Sequence, residues 1–260
     1  MLWYKTLFFK SWVETRWRFL IGLALLICSA IGVVLTYPQV AKLLPLASSI
    51  RADGELGRRI REAAEIQRTY SGYVWSQWFR QDFPQMWTIF AVLLGTGSAI
   101  SQTSGGGALF TLSMPVSRTR LLAVRAATGY AQLLLLAFVP SILIPLFSPA
   151  VGQTYSLLNA LVYSALLFIG GEVFFTFAFF LQTEFTDIWR PMGIALSVAA
   201  VIGLSVSAFP EASRYSPVGV MVGEDWFREG HLPWRGLLIC VAASALMLYG
   251  AARNIARHDF

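Results

Sequence analysis

The sequence predicts an all-α integral membrane protein with six transmembrane helices. Of its 260 residues, 56% are hydrophobic and only 13% are charged, whereas soluble domains carry about 25% charged residues. The apolar residues are clustered in continuous runs, and a spanning helix needs about 20 such residues. Helices are required because lipid offers the backbone no hydrogen-bond partners, and continuous runs lack the alternation of barrel strands.

The net charge of +6 does not indicate a nucleic-acid-binding protein. The basic residues lie mostly at the ends of the apolar runs, which is the pattern that orients membrane proteins. A nucleic-acid-binding domain instead carries a basic patch or stripe on one folded face. The sequence therefore predicts a protein that lies in a lipid membrane and has no nucleic-acid partner.

The first eighteen residues predict an amphipathic interfacial helix rather than a span. Apolar residues recur there at helical spacing, and charged residues such as Lys10, Glu14 and Arg18 interrupt them. A helix of this kind lies along the inner leaflet of the membrane. A plain basic flank of the first span is the alternative interpretation of residues 1–18.

Six apolar runs follow as candidate spans. They are Phe19–Tyr37, Pro84–Thr103, Tyr130–Phe147, Leu157–Leu181, Met192–Phe209 and Gly236–Ala252. Six spans place both termini on one side, and the excess of Lys and Arg there predicts that both termini are cytoplasmic. The same topology makes residues 38–83 and 210–235 external and residues 104–129 a cytoplasmic loop. The segment 38–83 is also basic, but charges far from a span contribute little to orientation.

The external segment 38–83 contains a predicted helix and an aromatic patch. The helix has an apolar face and carries Arg58 and Glu62 at a spacing that allows an ion pair. The aromatic patch precedes Pro84 and comprises Tyr70, Tyr73, Trp75, Trp78 and Phe79. We expect it to anchor the second span at the membrane interface, and contact with a substrate is the alternative.

Glu172 is the clearest charged residue inside a predicted span. It follows Gly170 and Gly171 deep in the fourth apolar run. An ionisable residue inside a membrane is by default a candidate functional site. It either serves a substrate or proton pathway or forms a structural hydrogen bond with a neighbouring helix. The glycines before it predict close helix packing.

The sequence contains no recognisable catalytic motif. Gly105, Gly106 and Gly107 are followed by Ala108 and Leu109, so the lysine that a phosphate-binding loop requires is missing. The two histidines lie far apart and form no metal-binding helix motif. We therefore predict no catalytic residues, no bound metal and no cofactor for this chain.

The cytoplasmic loop 104–129 combines apolar residues with a rigid turn. A short apolar helix precedes Pro115, which cannot continue a helix, and Ser117 is a suitable N-cap for the helix that follows. An apolar helix exposed at the cytoplasmic surface needs a partner, which is either lipid or protein. The residues predicted to take part in this contact are Leu109, Leu112, Ser113, Met114, Pro115, Val116, Ser117 and Arg118.

The stretch Ala99–Arg125 resembles the cytoplasmic signature of bacterial six-span ABC-2 type export permeases. In that family a Gly-Thr pair and a few apolar residues precede a Leu-Ser-Leu-Pro-Val-Ser-Arg sequence. The residues that match are Gly107, Leu109, Leu112, Ser113, Pro115, Val116, Ser117 and Arg118. Ala108 and Met114 depart from the pattern, and Gln102, Thr103 and Ser104 stand where an acidic residue is usual. Ser216-Pro217 in the last external loop and the ending Arg257–Phe260 also resemble the family.

The resemblance implies the membrane half of an ATP-driven exporter in a bacterial inner membrane. Two permease subunits, identical or different, form the pathway, and a cytoplasmic ABC ATPase docks beneath each. ATP and Mg are bound by the ATPase. The loop that ends at Arg118 acts as a coupling helix seated in a groove of the ATPase, with Arg118 facing an acidic rim. Trp226 and Phe227, in the external loop, are the candidates for the outer gate.

A stand-alone channel or proton-coupled carrier that uses Glu172 is the second hypothesis. A membrane-embedded enzyme is the third, and the absence of a catalytic constellation disfavours it. The few charges within the predicted spans favour an amphiphilic or hydrophobic substrate.

Overall fold

The computed structural model describes residues 2–48, 55–96, 118–185, 187–208 and 215–257, and the regular elements within these ranges are all helical. In chain order they are α1 (Leu2–Ser48), α2 (Glu55–Gln67), α3 (Tyr70–Val74), a π-helical segment (Trp75–Asp82), α4 (Phe83–Gly95), α5 (Arg118–Phe147), a 3-10 turn (Ser148–Val151), α6 (Leu157–Glu184), α7 (Trp189–Ala208), α8 (Pro217–Val222), α9 (Glu224–Glu229) and α10 (Trp234–Arg257). The predicted all-α class is confirmed.

Five helices in the described ranges are long and apolar enough to cross a membrane. The segments are Leu7–Leu43, Thr119–Val151, Leu157–Glu184, Trp189–Val206 and Trp234–Ala256. They correspond to five of the six predicted spans and indicate a multi-pass membrane protein. The predicted span Pro84–Thr103 is not among them, because α4 is 13 residues long and ends at Gly95. Residues 97–103 lie outside the described ranges. The span Pro84–Thr103 and the cytoplasmic position of both termini therefore stay predictions.

The N-terminal helix has no boundary at residue 18. Helix α1 is continuous over 47 residues and includes both the predicted interfacial helix and the first span. Its sequence offers no Gly or Pro between Ser11 and Phe19 that would end a helix. The Thr15 hydroxyl donates to the Ser11 carbonyl at 3.0 Å, one turn earlier. The interfacial position of residues 1–18 stays a prediction.

Helix α6 lies at the centre of the bundle. It packs against α4, α5, α7, α8 and α10. In its most apolar stretch 67% of the residues are buried, compared with 17% to 33% for the other four candidate spans. The largely exposed helices have the surface that lipid covers, because lipid tails are as apolar as Leu.

Glycines allow two elements to approach α6 closely. A Cβ atom on Gly171 would overlap the indole ring of Trp87 in α4. A Cβ atom on Gly170 would lie 2.8 Å from the carbonyl oxygen of Pro217 and 2.9 Å from Met221 Cγ in α8. The prediction that these glycines permit close packing is confirmed.

The π-helical segment precedes a proline for a physical reason. Pro84 has no backbone N–H, and in a regular α-helix its ring would clash with the carbonyl of Arg80, four residues earlier. The Phe83 N–H instead donates to the carbonyl of Trp78, five residues earlier. This wider turn carries the helical path from Tyr70 to Gly95 without a break.

The aromatic patch lies inside the bundle. Trp75 and Trp78 are 0% exposed and Phe79 is 1% exposed. The expectation that these residues anchor the chain at a lipid–water interface is wrong, because interfacial anchors have one face in lipid and one in water. The Arg58–Glu62 pair predicted for α2 is confirmed, with Nε and Oε1 3.8 Å apart.

Two ends of the bundle are defined by polar contacts of α1. At one end the Tyr73 hydroxyl donates to the Val33 carbonyl at 3.2 Å. At the other end an Arg18 guanidinium N–H donates to the Leu93 carbonyl at 2.9 Å. The helical path Tyr70–Gly95 therefore runs antiparallel to α1.

Tyrosines close the Tyr73 end of the bundle. The hydroxyl groups of Tyr70 and Ser148 lie 2.8 Å apart, and the Tyr37 and Tyr70 ring centroids lie 4.8 Å apart. Tyr155 packs edge-on against Tyr70, with ring centroids 6.3 Å apart. Burial raises the pKa of the Tyr155 phenol well above its usual range. These contacts tie α1, α3 and the turn after α5 together at one level.

We expect Gly171→Ala to destabilise the protein, because the added methyl group meets the fully buried Trp87 ring. Overpacking of this kind costs about 1–3 kcal/mol. Thermal unfolding in mild detergent measures the effect. Gly193→Ala in α7 is the matched control, since its Cβ would meet nothing within 4 Å. An equal unfolding temperature for the two variants would contradict the close packing at Gly171.

Candidate functional site

The predicted coupling residues lie almost entirely outside the described ranges. Residues 97–117 are not described, so the positions Leu109, Leu112, Ser113, Met114, Pro115, Val116 and Ser117 stay a sequence prediction. Arg118 is the first residue of α5. The predicted loop 104–129 is therefore helical from residue 118, and the candidate span begins at Thr119 rather than at Tyr130.

The start of α5 is joined to α1 by polar side chains. Arg125 Nη1 lies 3.9 Å from Glu14 Oε2. Gln132 Nε2 donates to the Thr15 hydroxyl at 2.8 Å, and both of these residues are buried. Buried polar groups are usually satisfied in this way, and together these contacts fix the position of α5 relative to α1.

Glu172 belongs to α6, and its side chain is buried against α10. Its exposed fraction is 9%. The carboxyl group lies beside the Ser244 hydroxyl of α10 and within electrostatic range of Cys240 and Tyr130. The Ser244 Oγ atom nevertheless has no hydrogen bond of good geometry within the described structure. The two groups are therefore neighbours whose hydrogen bond requires a small movement.

The neighbourhood of Glu172 is otherwise apolar and tightly packed. Val173 and Leu237 belong to the same buried cluster as Cys240. The Thr176 hydroxyl donates to the Glu172 carbonyl at 3.0 Å, one turn along α6. Such a site suits a carboxyl group that is either neutral or hydrogen-bonded, because an isolated carboxylate is costly away from water. This geometry is therefore compatible with a proton-binding carboxyl group and with a structural hydrogen bond, the two sequence interpretations of Glu172.

The connection between α7 and α10, which the sequence assigns to the exterior, contains two short helices. The Ser216 hydroxyl caps α8 by accepting from the Gly219 N–H at 3.0 Å, and Pro217 occupies the first turn. Gly223 separates α8 from α9 with a φ of 63°, which disfavours residues other than Gly. Val220 and Met221 are buried. The Ser216-Pro217 pair therefore begins a helix that packs into the bundle.

Helix α8 contacts α6 near the midpoint of α6. Gly170, which contacts α8, lies near the middle of the 28 residues of α6. At 1.5 Å per residue this position is about 20 Å from the start of α6 at Leu157. Glu172 lies only two residues further on. Helix α8 and Glu172 are thus at the same level of the central helix, but Glu172 projects about 200° around the helix axis from Gly170.

The gate candidates Trp226 and Phe227 are half-buried in α9. Phe227 stacks on Trp75 of the π-helical segment, with ring centroids 4.0 Å apart and planes 3° apart. The Arg80 guanidinium lies over the Trp75 ring, 5.4 Å from its centroid. The Trp75 indole N–H donates to the Val222 carbonyl at 3.2 Å. The gate candidates are therefore attached to the segment that the sequence assigns to the exterior.

Sequence reasoning did not identify two of these contacts. The stacking of Trp75 on Phe227 has no signal in the spacing of the two residues. The Glu14–Arg125 pair has one, because each charge lies at the start of an apolar stretch, where an opposite charge on a neighbouring helix is the usual partner.

The part of the chain that the structure describes contains no group of three or more His, Cys, Asp or Glu residues that could hold a metal ion. Comparison of the chain with protein-family models, curated proteins and solved structures finds no match. The functional assignment therefore depends on the residues and their geometry.

We expect the Trp75–Phe227 stack to stabilise the packing of α9 against the π-helical segment. A double-mutant cycle with Trp75→Leu and Phe227→Leu measures its coupling energy, which is about 0.5–1.5 kcal/mol for a stacked aromatic pair. Equilibrium unfolding in mixed micelles supplies the four free energies. A second cycle pairs Trp75→Leu with Tyr249→Leu, which alters a largely exposed side chain of α10. That control is expected to be additive within about 0.5 kcal/mol, and equal coupling in both cycles would refute the stack.

Proposed function

We propose that this chain is the transmembrane permease subunit of an ATP-driven ABC exporter. The observation that carries the proposal is the stretch from Gly107 to Arg118, which resembles the coupling signature of ABC-2 permeases. Five apolar helices of spanning length are consistent with it. In the proposed topology Pro84–Thr103 is the second of six spans and both termini are cytoplasmic, in the inner membrane of a bacterium.

The proposal requires that a force on the coupling loop reach the spans. Arg118 begins α5, so a displacement of the loop acts directly on that helix. Helix α1 would move together with α5, because Arg125 contacts Glu14 and Gln132 is hydrogen-bonded to Thr15. Helix α5 also packs on the central helix α6. This arrangement supports a rigid-body movement of α1 and α5 driven by a partner.

The partner in this proposal is a separate ABC ATPase, present in two copies. It binds ATP and Mg, and its closure on ATP moves the coupling loop. Leu112, Met114 and Val116 fill its groove, and Arg118 pairs with its acidic rim. A second permease subunit, identical or different, completes the pathway. In thermodynamic terms, a ligand on another chain biases two conformations of this one.

The outer end of the pathway is proposed to lie at α8 and α9. A gate must be movable yet well packed when closed. Helix α8 is held by the contacts at Gly170, and α9 by the stack of Phe227 on Trp75. Opening the gate requires these contacts to separate, which makes Trp226 and Phe227 the residues whose environment changes most.

The first test is copurification of the tagged chain with an ATPase in mild detergent, with vanadate-sensitive ATP hydrolysis as the readout. We expect the double variant Pro115→Ala, Arg118→Glu to reduce the recovered activity at least about tenfold, because a like charge then faces the acidic rim. Arg253→Glu is the matched control, since Arg253 is exposed on α10 at the same predicted side. A wild-type preparation without an ATPase, or equal losses in both variants, would contradict the proposal.

The second candidate function is a channel or proton-coupled carrier, and the buried position of Glu172 favours it. In that case Glu172→Gln abolishes transport driven by an ion gradient in proteoliposomes without ATP, because the amide cannot bind and release a proton. Arg118→Glu leaves that transport unchanged. Transport that is unaffected by Glu172→Gln rules this candidate out.

A further inference from the structure

A small cleft lies between the first turns of α1 and the start of α5. Its walls are apolar and are formed by Leu7, Leu121 and Val124, and its charged groups come from Lys10, Glu14 and Arg125. The free volume is about 30 Å³, which is room for roughly two water-sized groups. The cleft is open on one side, so a larger molecule can insert one polar end.

Arg125 contributes a buried guanidinium group with unused hydrogen-bonding capacity. Its side chain is 10% exposed. Its Nη1 atom lies 3.9 Å from Glu14 Oε2, which is too long for a hydrogen bond. Its Nη2 atom is buried and has no hydrogen-bond partner within the described residues. A buried charged donor in this state is costly, so the geometry calls for an additional acceptor.

The charges around the cleft are predominantly positive. Lys10 Nζ lies 4.0 Å from Glu14 Oε1, so the one carboxylate is shared at long range between Lys10 and Arg125. Arg18, one turn further along α1, lies within electrostatic range of Arg125. Among the described residues, three cations therefore lie around the one carboxylate of Glu14, and their local field favours an anion.

The cleft also lies at the edge of the apolar layer. Lys10 is near the start of the apolar segment Leu7–Leu43, and Arg125 is near the start of Thr119–Val151. At 1.5 Å per residue both are within about 10 Å of the ends of these segments. Long cationic side chains near helix ends reach toward the membrane interface, where phospholipids carry their phosphate groups.

We propose that this cleft binds a phosphate group through Arg125 and Lys10. The guanidinium fork of arginine matches the geometry of two phosphate oxygens, and lysine adds a point charge from the opposite helix. The phosphate oxygens enter the cleft next to the Arg125 guanidinium group, and the apolar walls contact the carbon atoms attached to the phosphate. The source is either the headgroup of an anionic phospholipid or free phosphate. This site is separate from the coupling loop, and it does not depend on an ATPase partner.

Ligand-dependent thermal unfolding of the whole chain in neutral detergent tests the site, because a ligand that binds the folded state raises its stability. The probes are phosphatidylglycerol, phosphatidylcholine, and sodium phosphate against sodium chloride at matched ionic strength. A saturable shift with phosphatidylglycerol alone assigns a lipid headgroup. A saturable shift with sodium phosphate as well assigns free phosphate. No saturable shift with any phosphate probe overturns the proposal, and the cleft then holds water only.

Variants place the binding in this cleft. We expect Arg125→Gln and Lys10→Gln each to raise the half-saturating concentration of the effective probe about tenfold, the usual size of a charge-assisted contact. Arg16→Gln is the matched control, because it removes one positive charge from the exposed side of the same stretch of α1. An unchanged half-saturation in Lys10→Gln, whose side chain is 40% exposed, overturns the proposal even if Arg125→Gln does not fold.

Discussion

The close approach of Trp87 and α8 to the glycine pair of α6 is the contact on which the rest of the bundle depends. In lipid the hydrophobic effect does not drive helices together, so tight packing must supply the stabilisation. Gly170 and Gly171 allow this because a Cβ atom at either position would overlap its neighbour. Trp87 belongs to the helical path from Tyr70 to Gly95, and Met221 belongs to α8. Both therefore reach the central helix only because these two residues lack side chains.

This packing places α8 and Glu172 at the middle of α6, and it places α9 nearer the Tyr163 end of that helix. Glu172 follows the glycine pair directly, α8 meets α6 at Gly170, and α9 is attached to the π-helical segment through Phe227 and Trp75. Gly170 and Glu172 project from different faces of α6, because two residues correspond to about 200° around the helix axis. The two proposed functions thus use different sides of the central helix. An exporter needs α8 to move, whereas a proton-coupled carrier needs Glu172 to exchange a proton.

Composition predicted the parts of the fold that lipid constrains most strongly. A spanning helix must be long, apolar and internally hydrogen-bonded, and five of the predicted spans are found as apolar helices. The path of the second span was harder to predict. Trp75 and Trp78 have the composition of an interfacial belt, and an aromatic core has the same composition. Only their burial separates the two cases, and burial depends on the distant residues Val222 and Phe227.

The candidate site shows the same division between local and distant information. A local sequence pattern suffices to propose a coupling loop, because such a loop is recognised by its own residues. The surroundings of Arg125 cannot be predicted from the neighbouring sequence, because Glu14 and Lys10 lie on another helix more than a hundred positions away. Those surroundings matter for either function, because α5 begins at Arg118. A force applied at that end would act on the residues of the charged cleft before it reached the rest of α5. A phosphate bound there would add hydrogen bonds between α1 and α5 to the long Glu14 ion pairs at the cleft and to the Gln132–Thr15 hydrogen bond further along. The stiffness of the connection between the loop and the spans would then depend on the anionic group in the cleft, and the N-terminal turns of α1 would contribute directly to coupling.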